Sequence, residues 1–264
     1  MTVVNFLHIS DLHHSNGDDP VLARLRDAIV SDVQQQHTPI NYIIFSGDLV
    51  ESGKAECFES AHQYFVSPLL EGLGLSPDSF LYCPGNHEVD RDAVDSVVRT
   101  GLLTLITDRE SCNKLSKGAE SKVSHYEWLN AYLAYDTNNH QGDSKRKSFG
   151  PFHSSYLLPE GIGVVCLNSA WLAWGGDADR GKLVLSEYII EKAVQSIKDA
   201  PIRIAVIHHP FDYLMEEIAL SVRKKVQATF DILCTGHIHS PDPSMITGPL
   251  NSCFVCGGGA LSSQ

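Results

Sequence analysis

An α/β fold is predicted by three features of the sequence: short apolar runs of strand length, helix-period segments between them, and polar loops bearing Gly or His where the runs end. The strand runs are Val3 to Ile9, Tyr42 to Phe45, Phe80 to Cys83, Val164 to Leu167, Ile202 to Ile207 and Ile232 to Cys234. Helical spacing is clearest from Pro20 to Gln35, where Val21, Leu22, Leu25, Ala28 and Ile29 fall on one face. It recurs in Ala93 to Ile106 and in Leu185 to Ile197. Leu157-Leu158-Pro159-Glu160-Gly161-Ile162 has the composition of a tight turn between two antiparallel strands. Residues 108–148 are more polar, carry Lys145-Arg146-Lys147 and an aromatic-rich piece from Tyr126 to Tyr135, and are expected to form an inserted helical cap.

The chain has 264 residues, 43% of them hydrophobic, which suits one large α/β domain over residues 1–264 with a real core. It ends soon after Gly257-Gly258-Gly259-Ala260 with no closing helix, so truncation from a longer protein with a further C-terminal domain is expected. Twenty Lys and Arg against 32 Asp and Glu give a formal charge of -12, which disfavours sequence-independent adhesion to nucleic acid or anionic membrane. No apolar stretch approaches the roughly 20 residues that span a bilayer. Val3 to Leu7 offer neither a basic start nor a small-residue cleavage site, so a cytoplasmic setting is expected. The cysteines are odd in number at seven, and Cys234 lies in an apolar run, as buried reduced thiols do. Cys253 and Cys256 form a lone C-x-x-C that on a strand points its sulfurs to opposite faces, which argues against zinc or redox chemistry.

Metal-ligand residue types collect at the strand ends. Asp11 and His13 follow the first strand, Asp48 the second, Asn86 and His87 the third, and His208, His209, His237 and His239 lie after later ones. Ligand sites in open α/β sheets form in the crevice at the strand carboxyl ends, so loops remote in sequence can converge there. A single Asp-x-His is weak evidence. Five such segments, each after a strand, carry far more.

These residues resemble the calcineurin-like metallophosphoesterases through Asp11-Leu12-His13, Gly47-Asp48 with Gly53, Gly85-Asn86-His87-Glu88, His208-His209-Pro210 and Gly236-His237-Ile238-His239. The resemblance implies a four-layer α-β-β-α sandwich of two mixed sheets with a two-metal site at the strand ends. It puts Asp11, His13, Asp48 and His239 on one metal and Asp48, Asn86, His208 and His237 on the other, with Asp48 bridging. Mixed N/O ligation suits Mn, Fe, Zn or Ni, and with the resemblance Mn is the first expectation. Two such cations acidify a bridging water, whose hydroxide attacks phosphorus in line. His87 has no metal in this scheme and is expected to face the phosphate, where it would protonate the departing oxygen or stabilise charge on the phosphorane, with Asn86 and His87 both expected to contact substrate. Glu88 is expected to orient a histidine, and His14 and His209 to stand behind the ligands.

The branch is set by smaller differences. Protein phosphatases of the family close the second block with Asp-Arg-Gly, whereas this chain has Glu51-Ser52-Gly53, so the arginine that grips a phosphomonoester is missing there. The sequence looks closer to cyclic-nucleotide and small-molecule phosphodiesterases. In the loop 168–181, Trp171 or Trp174 beside Asp177, Asp179 and Arg180 could offer a stacking ring and a phosphate-binding guanidinium, with Arg180 the candidate substrate contact, while the plainer and weightier reading is a rigid surface loop whose tryptophans pack against the core. A nuclease effector domain of a larger assembly is the alternative, with Lys145-Arg146-Lys147 and Arg223-Lys224-Lys225 as candidate guides for nucleic acid or, more simply, as solvated faces. A non-catalytic scaffold is disfavoured because every ligand position is filled. Oligomeric state is left open.

Overall fold

A computed structural model describes residues 3–122, 126–238, 243–247 and 252–261, without the side chains of residues 176 and 177. Among the described residues, ten strands form two sheets. β1 (Phe6–Ile9), β2 (Tyr42–Phe45) and β3 (Phe80–Tyr82) make a three-stranded parallel sheet in that order. The other sheet has seven strands: β4 (Arg146–Gly150), β5 (His153–Leu157), β6 (Ile162–Leu167), β7 (Ile202–Ile207), β8 (Ile232–Thr235), β9 (Ser244–Thr247) and β10 (Ser252–Gly257). Their order is β4-β5-β6-β7-β8-β10-β9, parallel from β6 through β10 and antiparallel at both edges. The predicted turn closes β5 on β6, with the Leu158 amide donating to the Ile162 carbonyl.

Strand alternation sorts the side chains into three cores. Ile44, Leu81, Val164, Cys166, Val206 and Cys234 fill the space between the sheets. Their neighbours Ile43, Phe45, Phe80 and Tyr82 point the other way, onto helices of the smaller sheet. Val165, Leu167, Ala205 and Ile207 likewise face the helices of the larger one. Buried on both faces, these strands read as continuous apolar runs. The result is the four-layer α-β-β-α arrangement. Cys253 and Cys256 belong to different cores, as their strand spacing requires.

Helix α1 (Pro20–Gln35) starts where Asp19 accepts the Val21 amide and Pro20 fixes the first turn. Helices α2 (Ala55–Ala61) and α3 (Ser67–Leu73), joined by a π turn over His62–Val66, cover the smaller sheet beside it. Helix α4 (Ser96–Thr104), capped by Asp95, buries no residue fully. Residues 108–148 divide between the two outer layers. Helix α5 (Arg109–Glu120) packs on α7 (Glu187–Gln195) and α8 (Glu216–Thr229), while α6 (Asn130–Asn139) packs on α2 and sends Tyr132 and Tyr135 against Tyr82. The segment ends in β4, which carries Arg146 and Lys147. No helix among the described residues is long and apolar enough to cross a membrane.

Candidate metal centre

The parallel strands β1, β2 and β3 run level, so the loops that follow them emerge together, and those after β7 and β8 emerge from the facing sheet. Backbone bonds stitch the first two loops: Asp11 donates to the Gly47 carbonyl at 3.0 Å, and Leu12 and His13 donate to the Asp48 carbonyl at 2.8 and 3.0 Å. The last two are joined by the Gly236 amide on the His208 carbonyl at 3.0 Å. Asp11, His13, Asp48 and His237 all take left-handed backbone, with φ of 56°, 51°, 56° and 70°. Such conformations are costly for residues with a Cβ and persist where surrounding contacts over-determine them. Gly47 and Gly85 clear the space: a Cβ on the first would overlap the His208 ring, and one on the second the Asp48 carboxylate.

Asp48 is the hub. Its Oδ2 lies 3.1 Å from His208 Nε2 and 3.8 Å from His13 Nε2, and its Oδ1 accepts the His87 amide at 2.9 Å. Burial alone raises its pKa, but His208, His87 and His13 outweigh that and hold the carboxyl below the ordinary carboxylate range. Burial would lower the His208 pKa, and Asp48 and Asp11 overcome it, pushing it up to about 9. His208 Nδ1 donates to the Ser46 carbonyl at 2.7 Å, which leaves Nε2 turned toward Asp48. Asp11 accepts the His237 amide at 3.1 Å, and His237 Nδ1 lies 3.3 Å from His208 Nε2. Asn86 is buried, with Oδ1 3.0 Å from His209 Nε2. His239 lies outside the described residues.

Three sets of donor atoms, each within 4.8 Å of one another, suit a cation: His13, Asp48 and His87; Asp11, Asp48 and His208; His208, His209 and His237. The donors are imidazole nitrogens and carboxylate oxygens, the mixture that divalent transition metals accept, and Asp48 belongs to two of the sets. The residues therefore fit the metals that the sequence implies.

Several expectations are corrected. Glu88 orients no histidine: its fully buried carboxylate accepts the amides of Asp48, Leu49, Val50 and Gly85, clamping the second loop to the third. His14 bonds Ser60 Oγ at 2.7 Å and faces the α2 side. Trp171 is fully buried, its Nε1 donating to the Val184 carbonyl, so it packs the core and cannot stack on a ligand. Trp174 is partly exposed but lies under the Arg99 guanidinium. Asp179 is buried and accepts the amides of Trp174 and Gly175, which fixes this loop. The side chain of Asp177 lies outside those described. Arg180 is exposed, pairs with Asp212 at 2.5 Å and sits 5.7 Å from the Tyr213 ring centre. The Tyr213 ring in turn lies 4.4 Å from that of His237. Three of the six residues in the basic triplets form ion pairs within the fold, Lys145 with Asp78, Arg146 with Asp136 and Lys225 with Glu191, while Lys147, Arg223 and Lys224 are exposed. Sequence reasoning missed Tyr213 and Ser169, whose only signal was their place just beyond β7 and β6.

This four-layer fold gathers candidate metal ligands at its strand ends. The chain belongs to the calcineurin-like phosphoesterase family, whose sequence profile matches residues 4–241. It is 21% identical over 252 residues to the uncharacterized metallophosphoesterase-like protein YydB of Bacillus subtilis strain 168, covering 89% of this chain and 49% of that protein. Among solved structures it is similar to the NAD nucleotidase NadN of Haemophilus influenzae, with a TM-score of 0.47 at 11% identity over 98% of this chain and 46% of that one. Similarity to the phosphopantetheinyl hydrolase PptH of Mycobacterium tuberculosis has a TM-score of 0.41 at 15% identity, over 97% and 90% of the two chains. The chain thus spans about half the length of YydB and of NadN.

Proposed function

We propose that the chain is a dinuclear-metal-dependent hydrolase of phosphodiesters, with nucleotide diesters as its substrate class. The observation that carries this reading is the convergence of His13, His208 and the Asn86-His87 loop on the Asp48 carboxylate. Asp11, His13, Asp48 and His239 would hold one cation and Asp48, Asn86, His208 and His237 the other, with Mn2+ the first candidate among the divalent transition metals that accept a mixed N/O set. When bound, two such cations supply positive charge to the phosphate oxygens and acidify water enough to give a nucleophile at neutral pH.

The chain's own residues do the rest. His87 Nδ1 donates to the Glu51 carbonyl at 2.9 Å, an atom that can only accept, so its Nε2 remains for moving a proton. That fits an acid for the leaving oxygen of a diester. The Glu51 carboxylate, in the block where phosphatases of the family carry arginine, approaches His13 Nδ1 at 3.6 Å and His87 Nδ1 at 3.8 Å. A negative group there opposes a dianionic monoester more than a monoanionic diester. Arg180 pairs with Asp212 near Tyr213, whose ring neighbours that of His237, and on this reading it would meet a distal part of the substrate.

The test is turnover by Mn2+-loaded protein of bis(p-nitrophenyl) phosphate, p-nitrophenyl phosphate, cyclic nucleotides and linear DNA in parallel. Diesters should be cleaved faster than the monoester. Arg180→Ala should raise KM for the nucleotide more than it lowers kcat, and hardly change the small diester. Faster turnover of p-nitrophenyl phosphate than of every diester makes the protein a phosphatase, and cleavage of DNA alone makes it a nuclease.

A further inference from the structure

His209 is 2% exposed and Ser169 fully buried, in loops that leave β7 and β6, neighbouring strands of the larger sheet. Ser169 Oγ lies 2.9 Å from His209 Nδ1, and it accepts the backbone amide of the same histidine at 3.5 Å. A serine hydroxyl has one proton. Oγ keeps a second lone pair, but Nδ1 is the one acceptor within hydrogen-bond distance of this buried hydroxyl among the described residues, so the serine makes all its hydrogen bonds only by donating to Nδ1, which is then the unprotonated nitrogen of the neutral ring. Nε2 therefore carries the hydrogen and donates it to Asn86 Oδ1 at 3.0 Å.

We infer that Ser169 and His209 are positioning residues that fix which atom of the Asn86 carboxamide is offered to a cation. A carboxamide has an acceptor oxygen and a donor NH2 of nearly the same shape, and only the oxygen binds a metal. Turned the other way, Asn86 would set its NH2 against the Nε2 hydrogen, donor against donor. The relay thus disfavours the wrong orientation, which would leave the buried Ser169 proton without an acceptor, and it leaves one lone pair of Oδ1 for a cation. Outer groups that orient a ligand in this manner typically govern metal affinity by 10- to 100-fold. The inference rests on the proposal that Asn86 holds a metal.

The rival reading is that His209 is itself a ligand, since its ring nitrogen groups with those of His208 and His237. The experiment measures Mn2+ stoichiometry and the two dissociation constants, with the melting point of metal-free protein as a check on folding. Ser169→Ala and His209→Ala should each weaken one Mn2+ by 10-fold or more and leave the other unchanged, and the double variant should lose no more than His209→Ala alone. His209→Gln, which keeps an N–H donor, should restore most of the affinity. Normal Mn2+ binding by Ser169→Ala combined with loss of one ion in both His209 variants would make His209 a ligand and overturn the relay. Unchanged binding in Ser169→Ala and His209→Ala overturns it as well. Asn86→Ala separates the two levels: if it retains both ions the metal reading of Asn86 fails, and if it alone loses one, only the relay fails.

Discussion

Asp48 engages its two carboxylate oxygens on different sides, Oδ2 with His208 and His13 and Oδ1 with the His87 amide. Replacing one oxygen by NH2 removes both the charge and one acceptor, so Asp48→Asn should weaken both metal sites together. Metal analysis of the purified variant checks this, and two tightly held ions with full activity would rule out the bridge. His87 behaves differently, because its ring is anchored to a carbonyl and leaves a nitrogen toward the cleft. His87→Ala should keep its metals and fold and lose about 10²- to 10⁴-fold in rate, the range for general acid-base groups. Since His87 also groups with His13 and Asp48, loss of an ion in that variant would instead make it a ligand. At this scale the sequence told most where a motif is contiguous, as in Gly85 to Glu88. It told least where the partner is distant, because the serine and tyrosine that flank His209 and His237 belong to no local pattern.

Among the elements, β2, β7 and α1 lie at the bounds their apolar patterns predict, with Arg203 the one charged residue inside the β7 run. Helix α4 is shorter than Ala93 to Ile106 because Asp95 caps it late, accepting the amides of Val97 and Val98. Strand β4 was hidden by Arg146 and Lys147: the first is drawn inward to buried Asp136, and the edge position tolerates the second. The neighbouring β5 buries His153, whose pKa falls to about 4 because burial penalises the charged ring. Above about pH 6.5 the ring is neutral whether the chain is folded or not. As pH falls below that, the unfolded chain takes up the proton and the folded one resists until about pH 4. Stability therefore declines across that window by up to about 1.4 kcal/mol per pH unit from this residue. Unfolding free energies of wild type and His153→Gln over pH 4 to 7 should diverge in slope by close to one proton, the glutamine retaining a partner for Ser148. Parallel slopes would show that the ring protonates without penalty.

Across the whole molecule, the candidate ligands are divided between two sheets that pack through an apolar interlayer. Asp11, Asp48 and Asn86 follow strands of the smaller sheet, and His208 and His237 follow strands of the larger. The end of the described chain adds one more tie, with Ala260 bridging to Ser10 beside Asp11. Four-layer packing was legible only through the family resemblance, because strand periodicity does not say which runs share a sheet. The layering has a thermodynamic consequence. Cations that join loops from both sheets bind the folded chain and not the unfolded one, so they should stabilise it by about 2.7 kcal/mol at a free concentration of 100 Kd. Chelation should then lower the melting temperature, graded Mn2+ should restore it, and the gain should shrink in Asp48→Asn, whose carboxylate lies between His13 on one sheet and His208 on the other. A melting point indifferent to both chelator and Mn2+ would mean that no cation joins the two sheets.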